Sequence, residues 1–332
     1  MEATYNIKKL AVIGGDLRSL VAAGALRAAG FECAVWGFDS AHEGTVHGST
    51  VADSLCCSAA ASAIGELSPQ LAITLRENGS CASLEEALDG SFGVILPLPA
   101  TQDGVRVSMP LSGKELALDT LLRLMEERGI RLLCGGRLGE DFSARCAGRG
   151  IEAFDYYEQE EFAVANAIPT AEGAIAIAMN ELAVTLHGGR ALVIGYGRIG
   201  KVLARLLHGL GMEVTVSARK PADFAWIAAD RLRAAETGKL GGLFADWQPD
   251  VIFNTVPHRV LDRSLLAAIH PGTLIIDLAS KPGGVDIAAA GELGHNVIWA
   301  LSLPGKVAPV TAGKIIADTV SGYIRRNERE LC

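Results

Sequence analysis

The chain has 332 residues, 49% of them apolar and only 5% aromatic, with 38 glycines and a net charge of −8. That length supports two domains with separate cores, and the acidic balance excludes a nucleic-acid partner, which would call for a basic face. Seven cysteines without C-x-x-C spacing exclude a disulfide framework and a zinc site, and no apolar stretch reaches the roughly 18 residues of a membrane span. The N-terminus lacks a signal-peptide pattern, so a cytoplasmic protein is expected.

Lys8 to Asp16 reads as a strand and turn, Leu17 to Ala29 as a helix stopped by Gly30, and Phe31 to Trp36 as a second strand. Gly14-Gly15-Asp16-Leu17-Arg18 imitates a nucleotide turn but lacks G-x-G-x-x-G spacing, and Asp16 sets a carboxylate where a pyrophosphate would bind. No nucleotide is expected there. In residues 41 to 90, His42, His47 and Cys56-Cys57 lie among Ser, Ala and Gly without orderly ligand spacing, so this stretch reads as an insertion rather than a metal site. The domain resumes with a buried strand from Phe92 to Pro99, a polar turn from Ala100 to Gly104 containing Thr101, a helix from about Gly113 to Arg128, and a strand from Arg131 to Cys134.

The joint lies between Glu161 and Gly173. Pro169 fits the first turn of a helix whose apolar positions continue to about Leu186, which predicts a connecting helix over 166–187 with its N-terminus at the cleft between two domains. Asn166, Thr170 and Glu172 would either cap that helix or bind substrate.

Beyond it, Ala191 to Ile194 runs into Gly195-Tyr196-Gly197-Arg198-Ile199-Gly200, the strand, turn and helix of a dinucleotide-binding unit. Gly195 permits the tight turn, Gly197 lets backbone approach a pyrophosphate, and Gly200 lets helix pack on strand. A helix from Arg198 to Leu210 and a strand from Glu213 to Arg219 complete a βαβ unit of roughly 30 residues. The strand ends Ser217-Ala218-Arg219-Lys220, with no acid to hold a ribose 2′-hydroxyl. Ser217, Arg219 and Lys220 suit a 2′-phosphate instead, so NADP is expected over NAD.

Asp250 to Pro257 reads as a fourth strand, Gly272 to Gly284 as a fifth with its turn, and Asn296 to Ala300 as a sixth. Their polar ends fall at the carboxyl edge of the sheet, where ligands bind. Asn254, Thr255, Val256 and Pro257 would run along the nucleotide, Asp277, Leu278, Ala279 and Ser280 would flank the nicotinamide, and Leu303 with Pro304 would close over the ring. A last helix from about Ala308 to Arg326, extending to 328, should pack back on the first domain. The expected fold is α/β: two Rossmann-like or flavodoxin-like domains, residues 1–165 and 188–304, with the doubly wound NADP domain inserted before the returning helix.

Four segments, Asn166-Ala-Ile-Pro-Thr-Ala-Glu-Gly173, Asp277-Leu-Ala-Ser-Lys-Pro-Gly-Gly284, Leu303-Pro-Gly-Lys-Val-Ala-Pro-Val-Thr-Ala-Gly313 and Gly14-Gly15-Asp16, resemble the A subunits of dipicolinate synthase from spore-forming bacteria. The resemblance covers nearly the whole chain except residues 41 to 90. It implies pyridine-nucleotide oxidation of dihydrodipicolinate, formed from the lysine-pathway aldolase product, to dipicolinate, with a flavoprotein-like B subunit in the sporulating mother cell. A homo-oligomer is expected as well. On that reading Lys281, Thr101, Asn166 and Thr170 would anchor the two carboxylates, and Glu172 or His258 would accept the proton.

Two other readings also fit the sequence. A 2-hydroxy-acid or amino-acid dehydrogenase shares the architecture, but a hydroxy-acid enzyme would show an Arg and a late His–Glu pair, where this chain offers Lys281 and a loop His295. A non-catalytic NADP-binding regulatory subunit would bind nucleotide without turnover.

Overall fold

Uninterrupted apolar runs make strands buried on both faces, and the computed structural model, which describes residues 8–39 and 81–327, contains two sheets of that kind. They belong to two units, Met1–Ala165 with Gly305–Cys332, and Asn166–Pro304. His42, His47, Cys56 and Cys57 lie outside the described residues, as does most of the expected insertion.

In the first unit β1 (Lys9–Ile13), β2 (Glu32–Trp36), β3 (Gly93–Ile95), β4 (Leu132–Gly135) and β5 (Glu152–Asp155) pair in parallel in the order β2-β1-β3-β4-β5. This is the flavodoxin-like order. Alternate residues of β1 serve opposite faces: Ala11 and Ile13 join one core, Leu10 and Val12 the other. The helix Leu118–Glu127 starts later than its sequence pattern suggests, because the chain before it is held as an extended segment, with Ala117 bridged to Arg106 and the Leu118 amide donating to the Val105 carbonyl.

The last helix, Pro309–Arg326, returns to this unit and lies on the helix Leu17–Ala28, with Ile316, Ala317, Val320 and Ile324 in the same core as Leu20, Ala23 and Leu26. Tyr323 stacks on Phe154 with ring centroids 3.7 Å apart, and Arg325 reaches the Ala29 carbonyl. Contact is closest at Gly313, where a Cβ would lie 2.6 Å from the Arg18 carbonyl oxygen and 2.7 Å from Val21 Cβ.

In the second unit β6 (Arg190–Ile194), β7 (Glu213–Ala218), β8 (Arg233–Glu236), β9 (Val251–Asn254), β10 (Leu274–Asp277) and β11 (Val297–Trp299) form a parallel sheet ordered β11-β10-β9-β6-β7-β8. Numbered within the unit, this is the 3-2-1-4-5-6 order of dinucleotide-binding sheets, and its direction of winding reverses between β6 and β9. Ala191 and Val193 face one core, Leu192 and Ile194 the other.

The connecting helix runs Glu160–Glu181, so Pro169 sits inside it rather than in its first turn. This corrects the capping role expected of Asn166 and Thr170: both are mid-helix, and the Thr170 hydroxyl donates to the Asn166 carbonyl at 2.7 Å. By length and composition the helix is apolar enough to cross a membrane, but half of its most apolar stretch is buried, Phe162 in one core and Ala171, Ala174 and Ala178 in the other.

Gly313→Ala should cost about 1–3 kcal/mol by overpacking the joint between the two helices. Gly291→Ala, which meets nothing within 4 Å, should be neutral or mildly stabilising, and urea unfolding of both variants measures the contrast.

Candidate nucleotide-binding site

The carboxyl ends of β7, β6, β9 and β10 lie side by side in the second sheet, so the segments after residues 218, 194, 254 and 277 share one edge. At its centre the glycine turn after β6 has three distinct geometries. Gly195 has φ +98° and lies against Thr255 Oγ1, 2.6 Å from where a Cβ would stand. Gly200 approaches the turn so closely that a Cβ would overlap the Gly195 carbonyl oxygen. Gly197 faces open space, with nothing within 4 Å. It precedes the helix Arg198–Gly209 and offers no side-chain cap, so the helix N-terminus, which favours an anion, opens on the uncrowded side of the turn. These residues fit a pyrophosphate.

The neighbouring loops are stitched to this turn from within. The Thr255 amide and hydroxyl both donate to the Ile194 carbonyl, the hydroxyl at 2.9 Å, and the Gly195 amide donates to Ser217 O. Asn254, fully buried, donates from Nδ2 to the Val256 carbonyl at 3.0 Å and to Asp277 Oδ1 at 2.7 Å, and accepts from the Val256 amide. Asp277 Oδ1 also accepts from the Ala279 amide, and Oδ2 accepts from the Gly284 amide at 2.8 Å. Trp299 Nε1 donates to the Ala279 carbonyl. Asn254, Thr255 and Asp277 thus spend their side chains on the loops. Leu278 and Ala279 are buried, while Ser280, Lys281 and Pro282 are exposed at the tip of a turn closed by a Gly283 amide to Ser280 carbonyl bond.

At the end of β7 the expectation for Ser217 needs correction. Its side chain is fully buried and accepts from Thr237 Oγ1 at 3.3 Å, because strand alternation turns it into the sheet face. Arg219 and Lys220 are exposed, and neither is paired with an acid among the described residues. Val256 is half-buried, and Pro257 and His258 are exposed on the loop after β9.

Other candidates fall elsewhere. Tyr196 packs in the core of the second unit and donates its hydroxyl to Asp230, which Arg205 also holds, at 2.9 and 3.2 Å. Burial and that carboxylate push the phenol up to about 12, and the Arg205 and Tyr196 hydrogen bonds hold Asp230 below the usual carboxylate range. This clamp on the helix Arg198–Gly209 was not read from the sequence, since nothing in the spacing joins residues 196, 205 and 230. Glu172 lines an apolar groove with Met179, Arg205, Leu206 and Leu210, beside the helix end remote from the glycine turn, which removes it as a proton acceptor there. Leu303 belongs to the second unit's core and Pro304 is buried beside it in the short helix Leu303–Val307, rather than both being free to close over a ring. Thr101, in the first unit, donates to Asp103 Oδ1 and accepts from the Gly104 amide, so its hydroxyl serves its own turn. Asn166 is half-buried on the connecting helix.

The look-alike turn of the first unit is filled. A Cβ on Gly14 would lie 2.5 Å from Met109 Cγ, and one on Gly37 would lie 2.6 Å from Met109 Cε. Asp16 accepts from the Arg18 amide and pairs with the Arg18 guanidinium at 2.8 Å, occupying the helix N-terminus with a carboxylate. Burial pushes the Cys33 and Cys146 thiols up to about 11, which leaves both protonated at neutral pH. Among the described residues no three His, Cys, Asp or Glu side chains gather as a metal site.

A doubly wound sheet with this glycine cradle is a dinucleotide-binding domain, and residues 170–285 match the family described as D-isomer specific 2-hydroxyacid dehydrogenase, NAD binding domain, which supports the class of nicotinamide-dinucleotide-dependent oxidoreductases. Over 239 residues the chain is 35% identical to the dipicolinate synthase A subunit of Bacillus subtilis (strain 168), covering 71% of this chain and 79% of that protein. The crystal structure of the Bacillus subtilis A subunit superposes with a TM-score of 0.77 at 30% identity, over 97% of each chain. That from Bacillus halodurans gives 0.77 at 27%, over 95% of this chain and 97% of its own. The chain belongs to the family of dipicolinate synthase A subunits.

Gly197→Ala should lower thermal stability only slightly, through the less favourable helix cap, and weaken nicotinamide dinucleotide binding at least roughly tenfold, about 1.4 kcal/mol, by filling the open side of the turn. Gly200→Ala should instead lower the melting temperature, because the overlap there is with backbone. Fluorescence titration with reduced nucleotide and a thermal melt distinguish the two.

Proposed function

We propose that the protein oxidises dihydrodipicolinate to dipicolinate with NADP as acceptor, together with a flavoprotein-like B subunit in the cytoplasm of a sporulating mother cell. The observation that carries this reading is Lys281: in a chain of this family, it is an exposed cation at the tip of a turn on the nucleotide edge, with no acid partner among the described residues. A dicarboxylate substrate calls for such a cation. NADP over NAD is supported by the unpaired Arg219 and Lys220 and by the lack of an acid at residues 217–220.

A bound oxidised nicotinamide would supply the acceptor for the hydride, two electrons and one proton, lost from a substrate ring carbon. The ring's other proton leaves to a base, and the product is aromatic, so much of the driving force lies in the substrate. The protein's share is alignment and charge: Gly197 and the following helix N-terminus hold the pyrophosphate, Arg219 and Lys220 the 2′-phosphate, and Lys281 a substrate carboxylate. His258, exposed on the loop after β9, is the proposed proton acceptor.

The 2-hydroxy-acid reading gains nothing from the late histidine. His295 is buried, with Nε2 2.8 Å from the Leu266 carbonyl oxygen, inside the second unit.

An ultraviolet assay tests the proposal: the upstream aldolase makes the substrate in situ, and this chain is added with NADP⁺ or NAD⁺, with and without the B subunit. Nucleotide-dependent appearance of the pyridine dicarboxylate is expected. Turnover of a 2-oxo acid instead, or tight NADP⁺ binding without product under any condition, would overturn it. Arg219→Ala should weaken NADP⁺ binding about tenfold, the loss of a charge-assisted bond, and leave NAD⁺ binding nearly unchanged. Lys281→Ala should raise the KM for the dicarboxylate about tenfold with nucleotide affinity intact.

A further inference from the structure

We infer that Asp277 is the positioning residue of this site: its buried carboxylate, held by Asn254, sets the turn that carries Lys281 and meets neither substrate nor cofactor. The inference rests on the proposed role of Lys281.

Asp277 is 1% exposed, yet no Lys or Arg among the described residues is paired with it. Three neutral donors satisfy it instead. Oδ1 accepts from Asn254 Nδ2 at 2.7 Å and the Ala279 amide at 3.0 Å, and Oδ2 accepts from the Gly284 amide at 2.8 Å. Two of these donors are backbone groups at opposite ends of the same turn, so one carboxylate clasps residues 279 and 284 together. The third comes from β9 and ties the clasp to the loop after residue 254. The Gly284 carbonyl completes the tie by accepting from the Val260 and Leu261 amides.

The donor count explains the residue type. Three N–H groups converge on two acceptor atoms, whereas an asparagine presents one acceptor and would turn its amide nitrogen against an N–H. The two glycines explain themselves in the same way. A Cβ on Gly284 would overlap Asn254 Nδ2, and one on Gly283, at φ +86°, would lie 3.0 Å from Asp277 Oδ2. What remains outside the clasp is Ser280, Lys281 and Pro282, and the lysine's position is therefore fixed by a charge it never touches.

The test uses Asp277→Asn, Lys281→Ala and the double variant in the full chain with its B subunit. Asp277→Asn should bind NADPH within about threefold of wild type, raise the dicarboxylate KM about tenfold, and add nothing to Lys281→Ala in the double variant. Independent effects that multiply, or a fall in kcat without a KM change, would overturn the inference. Amide hydrogen exchange at Ala279 and Gly284 is read in parallel. It should accelerate in Asp277→Asn, and unchanged exchange overturns the inference whatever the substrate. If Lys281→Ala leaves KM normal while exchange still accelerates, the proposed anchor fails and the clasp stands as the device that shapes the turn. Should Asp277→Asn fail to fold, Asn254→Ala removes one of the three donors together with the two bonds to Val256. Exchange at Ala279 and Gly284 should accelerate in it as well, and unchanged exchange overturns the inference.

Discussion

The second unit depends on one close approach, the Gly200 backbone against the carbonyl of Gly195, where no side chain fits. It draws the helix Arg198–Gly209 onto the sheet and sets its N-terminus at the carboxyl edge. Once that distance is fixed, the other loops are referred to the same point by backbone-directed bonds: Thr255 to Ile194, the Gly195 amide to Ser217, and the Leu278 amide to Asn254. Strands buried on both faces leave no other place for polar chemistry, so the residues at their ends divide into those that hold the loops and those that face outward.

The first unit shows what happens when the same outline lacks that arrangement. It begins with a strand, a glycine turn and a helix, but Gly14 and Gly37 admit the side chain of Met109 rather than a ligand. Asp16 caps the helix and brings its own counter-ion in Arg18. A strand-turn-helix is thus a scaffold, and the side chains around the turn decide whether an anion enters.

Much of this was legible in the sequence because buried parallel strands are apolar without a break. Both sheets' central strands and the returning helix were readable from that signal. The strands that escaped it, Glu152–Asp155 and Arg233–Glu236, are sheet edges rich in charge, where half-burial erases the pattern. Pro169 misled for a related reason. A proline at the first helical turn is the commoner case, but here Phe162, Ala163, Ala165, Asn166 and Ala167 precede it in the same helix, all buried or half-buried. The site was legible as a set of loops, not as a set of roles. Spacing located Asn254, Asp277 and Ser217 at the right edge, whereas alternation and burial, which need the fold, turned all three inward.

That division of roles bears on how an acidic protein handles anions. With a net charge of −8 the chain as a whole repels a dinucleotide phosphate, and at physiological salt that repulsion is screened beyond about 8 Å. Attraction must come from a few cations within that distance of the ligand, and cations already paired with an acid have little left to give. Most arginines here are so paired, including Arg18, Arg106, Arg205 and Arg263. Arg219, Lys220 and Lys281 stand apart: each is exposed at the nucleotide edge with no acid bound to it among the described residues. Asp277, four residues before Lys281, is turned inward and occupied by three N–H groups, so this carboxylate shapes the edge without being exposed on it.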